Sequence, residues 1–96
     1  MNITKTVNGD HFNVEISGRL DTMTAPQFES FISENILKMN VLTLDCAGLE
    51  YVSSAGLRVL LSTHKRLKGN MKLQNVCELV MEVFEMTGFV DILVIE

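Results

Sequence analysis

Basic residues are few and scattered: eight Lys and Arg against twelve Asp and Glu leave a formal charge of −4 over 96 residues. No basic stripe exists to follow a phosphate backbone, so nucleic acid is not an expected partner. Cysteine is as sparse. Cys46 and Cys77 stand far apart, with no second pair and no histidine cluster. That excludes a disulfide framework and a structural zinc site, and it suits a reducing compartment. No apolar run approaches the ~20 residues that cross a bilayer. The opening residues are polar at Asn2, Thr4, Lys5 and Asp10, without the apolar stretch of a secretory leader, so the expected location is the cytoplasm, with no membrane contact. Neither Gly-x-x-x-x-Gly-Lys-Ser/Thr nor Gly-x-Gly-x-x-Gly occurs, and carboxylates do not cluster. Nothing in the chain therefore positions Mg²⁺ and ATP, and no cofactor is expected.

What the chain does have is apolar residues, 47% of the total, enough for one packed core in a single domain spanning 1–96. Ile3, Lys5 and Val7 alternate up to Asn8-Gly9, and Phe12, Val14 and Ile16 alternate beyond it, which is a hairpin pattern with a turn at Asn8-Gly9. A helix is expected from Thr24 or Ala25. Thr24 and Gln27 have capping-box spacing, Pro26 is tolerated in a first turn, and Phe28, Phe31, Ile32 and Ile36 form one stripe. Residues 41–44 read as a strand buried on both faces and ending at Asp45, with a loop over 46–52. A second helix follows over about 54–67, with Leu57, Leu60, Leu61 and Leu67 inward and Arg58, Val59, Ser62 and Arg66 outward. Strand 71–74, a third helix capped by Asn75 and ended at Gly88, and strand 92–95 complete the order β-β-α-β-α-β-α-β. Crossovers of this kind make an α/β fold with a mixed, mostly parallel sheet whose first strand is antiparallel. Ligands and partners of such sheets meet the loops beyond the carboxyl ends of the parallel strands, here expected to carry Asp21, Asp45, Ser53, Ser54, Gln74 and Asn75.

Ser53 and Ser54 put two hydroxyls at a helix start, followed by the small residues Ala55 and Gly56. Taken alone, that is an N-cap and a tightly packed loop. The segment Ser53-Ser54-Ala55-Gly56-Leu57 also resembles the phosphoacceptor motif of the STAS family of anti-sigma factor antagonists. Gly18-Arg19-Leu20-Asp21 with Ala25-Pro26 resembles that family's second-strand exit, and Leu44-Asp45 its third-strand end. The resemblance spans nearly the whole chain and implies a STAS-like fold. It also implies a phosphorylatable serine two places before the glycine, at Ser54, with Ser53 as second choice. The family's acidic residue before the acceptor is Ser53 here, so a neighbouring negative charge is missing. The implied function is a binding regulator rather than an enzyme. Its implied partners are an anti-sigma factor that is a serine kinase with a histidine-kinase-like ATP-binding fold, and a metal-dependent serine phosphatase that resets it. The same switch in a pathway without a sigma factor is the alternative.

Partner contact is assigned to Asp21, by the resemblance, and to Met23, Ser53, Ser54, Ala55, Gly56, Arg58 and Val59, the last as an exposed apolar residue ringed by polar ones. Asp45, with Gly56, is assigned to holding the Ser54 loop. A serine hydrolase would need a base within about 3 Å of Ser54. His64 lies ten residues along the same helix, about 15 Å away at ~1.5 Å per residue, and is expected to be bonded and partly buried. Gly-x-Ser-x-Gly also fails, because Val52 stands at its first glycine. His11 is expected on the solvated surface.

Overall fold

The computed structural model describes all 96 residues. Strands β1 (Asn2–Asn8) and β2 (His11–Leu20) form the hairpin, followed by helix α1 (Ala25–Asn35) and strand β3 (Val41–Val52). Helix α2 (Ser54–Arg66), strand β4 (Met71–Gln74), helix α3 (Glu78–Thr87) and strand β5 (Val94–Ile95) follow. This is the expected order. The sheet runs β1-β2-β3-β4-β5, with β1 antiparallel to β2 and every other pair parallel. Strand β3 is central, and Leu42, Thr43 and Leu44 are all buried, as expected for a strand covered on both faces. Phe12, Val14 and Ile16 of β2, Phe28 and Ile32 of α1, Leu57 and Leu60 of α2, and Val80 and Phe84 of α3 close the core over it.

Several local expectations need correction. The hairpin pairs Asn8 with His11, so its two-residue loop is Gly9-Asp10, one place later than Asn8-Gly9. Only Gly9 takes a positive φ (64°), as a turn with glycine at its first central position requires. Helix α1 has no side-chain cap from Thr24. The Thr24 hydroxyl instead donates to the Arg19 carbonyl at 2.6 Å and accepts from the Asp21 amide at 2.9 Å. Gln27 reaches away from the helix start to the Met1 carbonyl. Asn75 does not cap α3, whose N-cap is Cys77; Asn75 sits in the left-handed region (φ 58°), which asparagine tolerates. Gly88, also left-handed (φ 80°), ends α3 as expected. A single 3₁₀ turn, Phe89–Asp91, then takes up residues before β5, which keeps only two of the four residues expected. His11 is half-buried, its Nε2 3.0 Å from the Thr43 hydroxyl, because β2 pairs beside β3 at that level.

The largest difference is β3. It runs through the expected loop 46–52 to Val52, because a bulge lets its second half keep pairing with Ser17, Gly18, Arg19 and Leu20 of β2 after β4 has ended. The sheet therefore has two carboxyl-end levels. Strand β4 stops opposite Asp45, whereas β2 and β3 stop together at Leu20 and Val52.

Candidate functional site

The upper level is the end where β2 and β3 finish together. The Ser53 amide donates to the Leu20 carbonyl at 2.9 Å, tying the entry of α2 to the exit of β2. Ser53 has extended backbone and caps α2: its hydroxyl accepts from the Gly56 amide at 3.4 Å, and its carbonyl from Leu57 at 2.9 Å. Ser54 is the first residue of the helix proper and is exposed. The two hydroxyls thus have different surroundings, since one closes the helix end and the other faces solvent. Gly56 is required by a close approach. A Cβ there would lie 2.6 Å from the Leu20 carbonyl oxygen and 2.8 Å from Leu20 Cγ. The absence of a side chain lets α2 start hard against the end of β2.

Asp21 stands next to this junction and closes the turn into α1. Its Oδ1 accepts from the Met23 and Thr24 amides at 3.0 and 3.2 Å, and its Oδ2 from Arg19 Nε at 3.4 Å. Partial desolvation pushes its pKa up, but the Met23 and Thr24 amides, the Arg19 side chain and the Thr24 hydroxyl together hold it below the ordinary carboxylate value. The turn so fixed leaves Met23 86% exposed beside the mouth of α2. Arg19 lies over the Tyr51 ring, 4.4 Å from its centroid, which fixes the outer rim.

Asp45 is not part of this arrangement. It lies in the middle of β3, level with the end of β4, and its Oδ1 accepts from the Ala47 amide and from Asn75 Nδ2, each at 3.0 Å. The seven residue steps of strand from Asp45 to Val52 put it roughly 20 Å below the α2 entry. Its assignment to the Ser54 loop is therefore corrected: it joins β3 to the turn after β4. Leu44-Asp45 is accordingly not a strand end here.

Val59 also needs correction. It is 6% exposed, packed in the core with Gly56, Leu57, Leu60 and Thr63 rather than standing on the surface. The cause is α1, which packs beside α2 and covers this side, so the buried face is rotated from the leucine stripe and leaves Leu61 half-buried. A groove of about 550 Å³ remains between the two helices, with Ala25, Pro26 and Glu29 on one wall and Ala55, Arg58 and Ser62 on the other. Val59 forms part of its floor. Pro26 and Glu29 had no sequence signal as wall residues, because helix-helix pairing is not written in either helix alone.

Asp21, Met23, Ser53, Ser54, Ala55, Gly56 and Arg58 thus gather at one end of the molecule. No histidine or carboxylate hydrogen-bonds the Ser54 hydroxyl. His64 is half-buried as expected, but its Nδ1 is enclosed without a hydrogen-bond partner, against the expectation of a bonded ring. Burial, then the charges of Asp45 and Cys77, push the Cys46 thiol up to about 12, so it is a packing residue rather than a nucleophile.

The STAS domain model matches residues 2–96. The anti-sigma-B factor antagonist of Bacillus subtilis (strain 168) is 29% identical over 96 residues, covering 97% of this chain and 88% of its own. Among solved structures, an anti-sigma factor antagonist from Mycobacterium paratuberculosis superposes with a TM-score of 0.86 at 21% identity, over 98% of this chain and 83% of that one. The anti-sigma factor antagonist SpoIIAA in its unphosphorylated form gives 0.83 at 20% identity, over 99% and 88%. The Bacillus cell fate determinant SpoIIAA in its phosphorylated form gives 0.75 at 19%, over 99% and 91%. At these identities the structures share the fold.

Proposed function

The chain belongs to the STAS domain family, and from that premise we propose that it is an anti-sigma factor antagonist whose grip on its partner is gated by phosphorylation of Ser54. The observation that carries this reading is the unequal situation of two adjacent serines: the Ser53 hydroxyl caps α2, and the Ser54 hydroxyl faces solvent at the mouth of that helix. A bound kinase active site can reach the second without unmaking the helix end. The names of relatives, anti-sigma-B factor antagonist among them, support the role.

The partner is an anti-sigma factor that is also a serine kinase with a histidine-kinase-like ATP-binding fold. Unmodified, the chain sequesters this kinase through Asp21, Met23, Ser53, Ser54, Ala55, Gly56 and Arg58, with Val59 as the floor beneath, and a sigma factor is freed. In the switching step the γ-phosphoryl group of ATP passes to Ser54 Oγ and ADP leaves. The hydroxyl proton must go to a base on the kinase, because none is bonded to Ser54 here, and Mg²⁺ and ATP belong to the kinase. A metal-dependent serine phosphatase returns the hydroxyl by hydrolysis. The chain works as a single-domain binding module in the cytoplasm, where these partners act, and not as an enzyme.

The energetics favour a switch at this position. A phosphate adds about −1.5 to −2 charge at neutral pH, and the amides and dipole of a helix N-terminus favour it by about 0.3–1 kcal/mol. The fold is therefore expected to persist. A docked interface is not, since burying an unmatched charge there costs several kcal/mol, and tenfold in affinity needs only about 1.4 kcal/mol. The test is Ser54→Asp, measured by titration calorimetry against the kinase. At least tenfold weaker binding with unchanged circular dichroism is expected, and equal affinity would overturn the reading.

A further inference from the structure

Two of the three arginines are engaged: Arg19 lies over Tyr51 and reaches Asp21, and Arg66 donates to the Ser33 hydroxyl. Arg58 is exposed and has neither an ion pair nor a side-chain hydrogen bond within the chain. It stands four residues beyond Ser54 on α2, on the wall of the groove opposite Glu29. Residues four apart on a helix are neighbours on one face. Long side chains on a helix also lean back over the preceding turn, so the reach of Arg58 covers the position of Ser54.

We propose that Arg58 is a positioning residue that clamps the phosphate of modified Ser54 within the same helix. The inference rests on the reading of Ser54 as the acceptor. The guanidinium presents two N–H groups to two phosphate oxygens, a fork that lysine cannot reproduce. Ser53, which stands where an acidic residue would repel the dianion, leaves that pairing unopposed at the adjacent position. Other charges at this end of the molecule are the Asp21 carboxylate, held by two backbone amides, the Arg19 guanidinium paired with it, and Glu29 across the groove. One cation then serves two states. Unmodified, Arg58 lines the groove and is open to a partner; after phosphorylation it turns back to the phosphate and leaves the groove without its only cation. Modification thus acts twice on the docking face, adding negative charge and withdrawing positive charge.

The test needs neither kinase nor partner. Phosphoserine is installed at position 54 of the full chain during synthesis, and its second ionisation is followed by ³¹P NMR at low salt. A clamp favours the dianion, so the phosphate of the parent chain should titrate about 0.3–0.7 unit below that of Arg58→Gln. Arg58→Lys should recover part of that difference, high salt should shrink it, and Arg66→Gln should leave the titration in place. Identical titrations for parent and Arg58→Gln would overturn the proposal, as would an equal shift in Arg66→Gln. Failure of a kinase to modify Ser54 would sink the switch and leave this titration intact, whereas identical titrations would sink the clamp and leave the switch intact.

Discussion

Replacing Gly56 by alanine tests whether the end of β2 holds the helix mouth in place. The new methyl would lie 2.6 Å from the Leu20 carbonyl oxygen, 2.8 Å from Leu20 Cγ and 3.1 Å from Val52 Cγ1. The first of these is backbone, so α2 must move away from β2. Overpacking of this kind costs about 1–3 kcal/mol. The movement also strains the bond from the Ser53 amide to Leu20, worth about 1 kcal/mol. Alanine returns about 1 kcal/mol through its better helix propensity. A net loss of about 2 kcal/mol remains, which for a chain of this size lowers Tm by about 10–15 °C. Thermal melts by circular dichroism, with urea unfolding to give the free energy, would read it. An unchanged or raised Tm would show that the close approach does not fix the loop, and the reasoning about the Ser54 mouth would fail with it.

The other expectations are smaller. Ser53→Ala should cost about 0.5–1 kcal/mol, as loss of an N-cap does, yet remain a phosphoacceptor. Ser54→Ala should melt as the parent does and accept no phosphate, and label on Ser53 would reverse the two roles. Asp21 has its pKa lowered in the fold, so its stabilising effect is present above the ordinary carboxylate value and is lost as pH falls below that value and through the lowered folded one. The urea midpoints of parent and Asp21→Asn should therefore be separated near neutrality and converge below about pH 4, whereas a gap that widened on acidification would contradict the hydrogen-bonded turn. Cys46, with its thiol pushed up to about 12, should resist iodoacetamide at pH 8 until denaturant is added, and rapid alkylation of the folded chain would show that it is not enclosed.

The element order and the parallel crossovers were legible in the sequence because each strand and helix carries its own apolar period. So was the serine pair at the start of α2, where helix-start chemistry and the family resemblance coincide. What was not legible arises between elements. The run 46–52 has no clear alternation, and it becomes strand only because Ser17, Gly18, Arg19 and Leu20 offer a pairing edge across a bulge. That extension carries the α2 entry away from Asp45, which is why a residue placed beside the serines by sequence order lies one level below them. Val59 looks exposed on a wheel drawn for α2 alone and is buried because α1 covers it. Thr24 has the spacing of a cap, but the turn made by Asp21 and Arg19 claims its hydroxyl first.

The proposed switch resides in a single oxygen atom, Ser54 Oγ. Incubation of the chain with the proposed kinase partner and Mg-ATP, followed by intact-mass analysis and phosphopeptide mapping, reads it out. One phosphate per chain, carried on Ser54, is the predicted result; a chain that binds the kinase but gains no phosphate, or gains it elsewhere, would contradict the account.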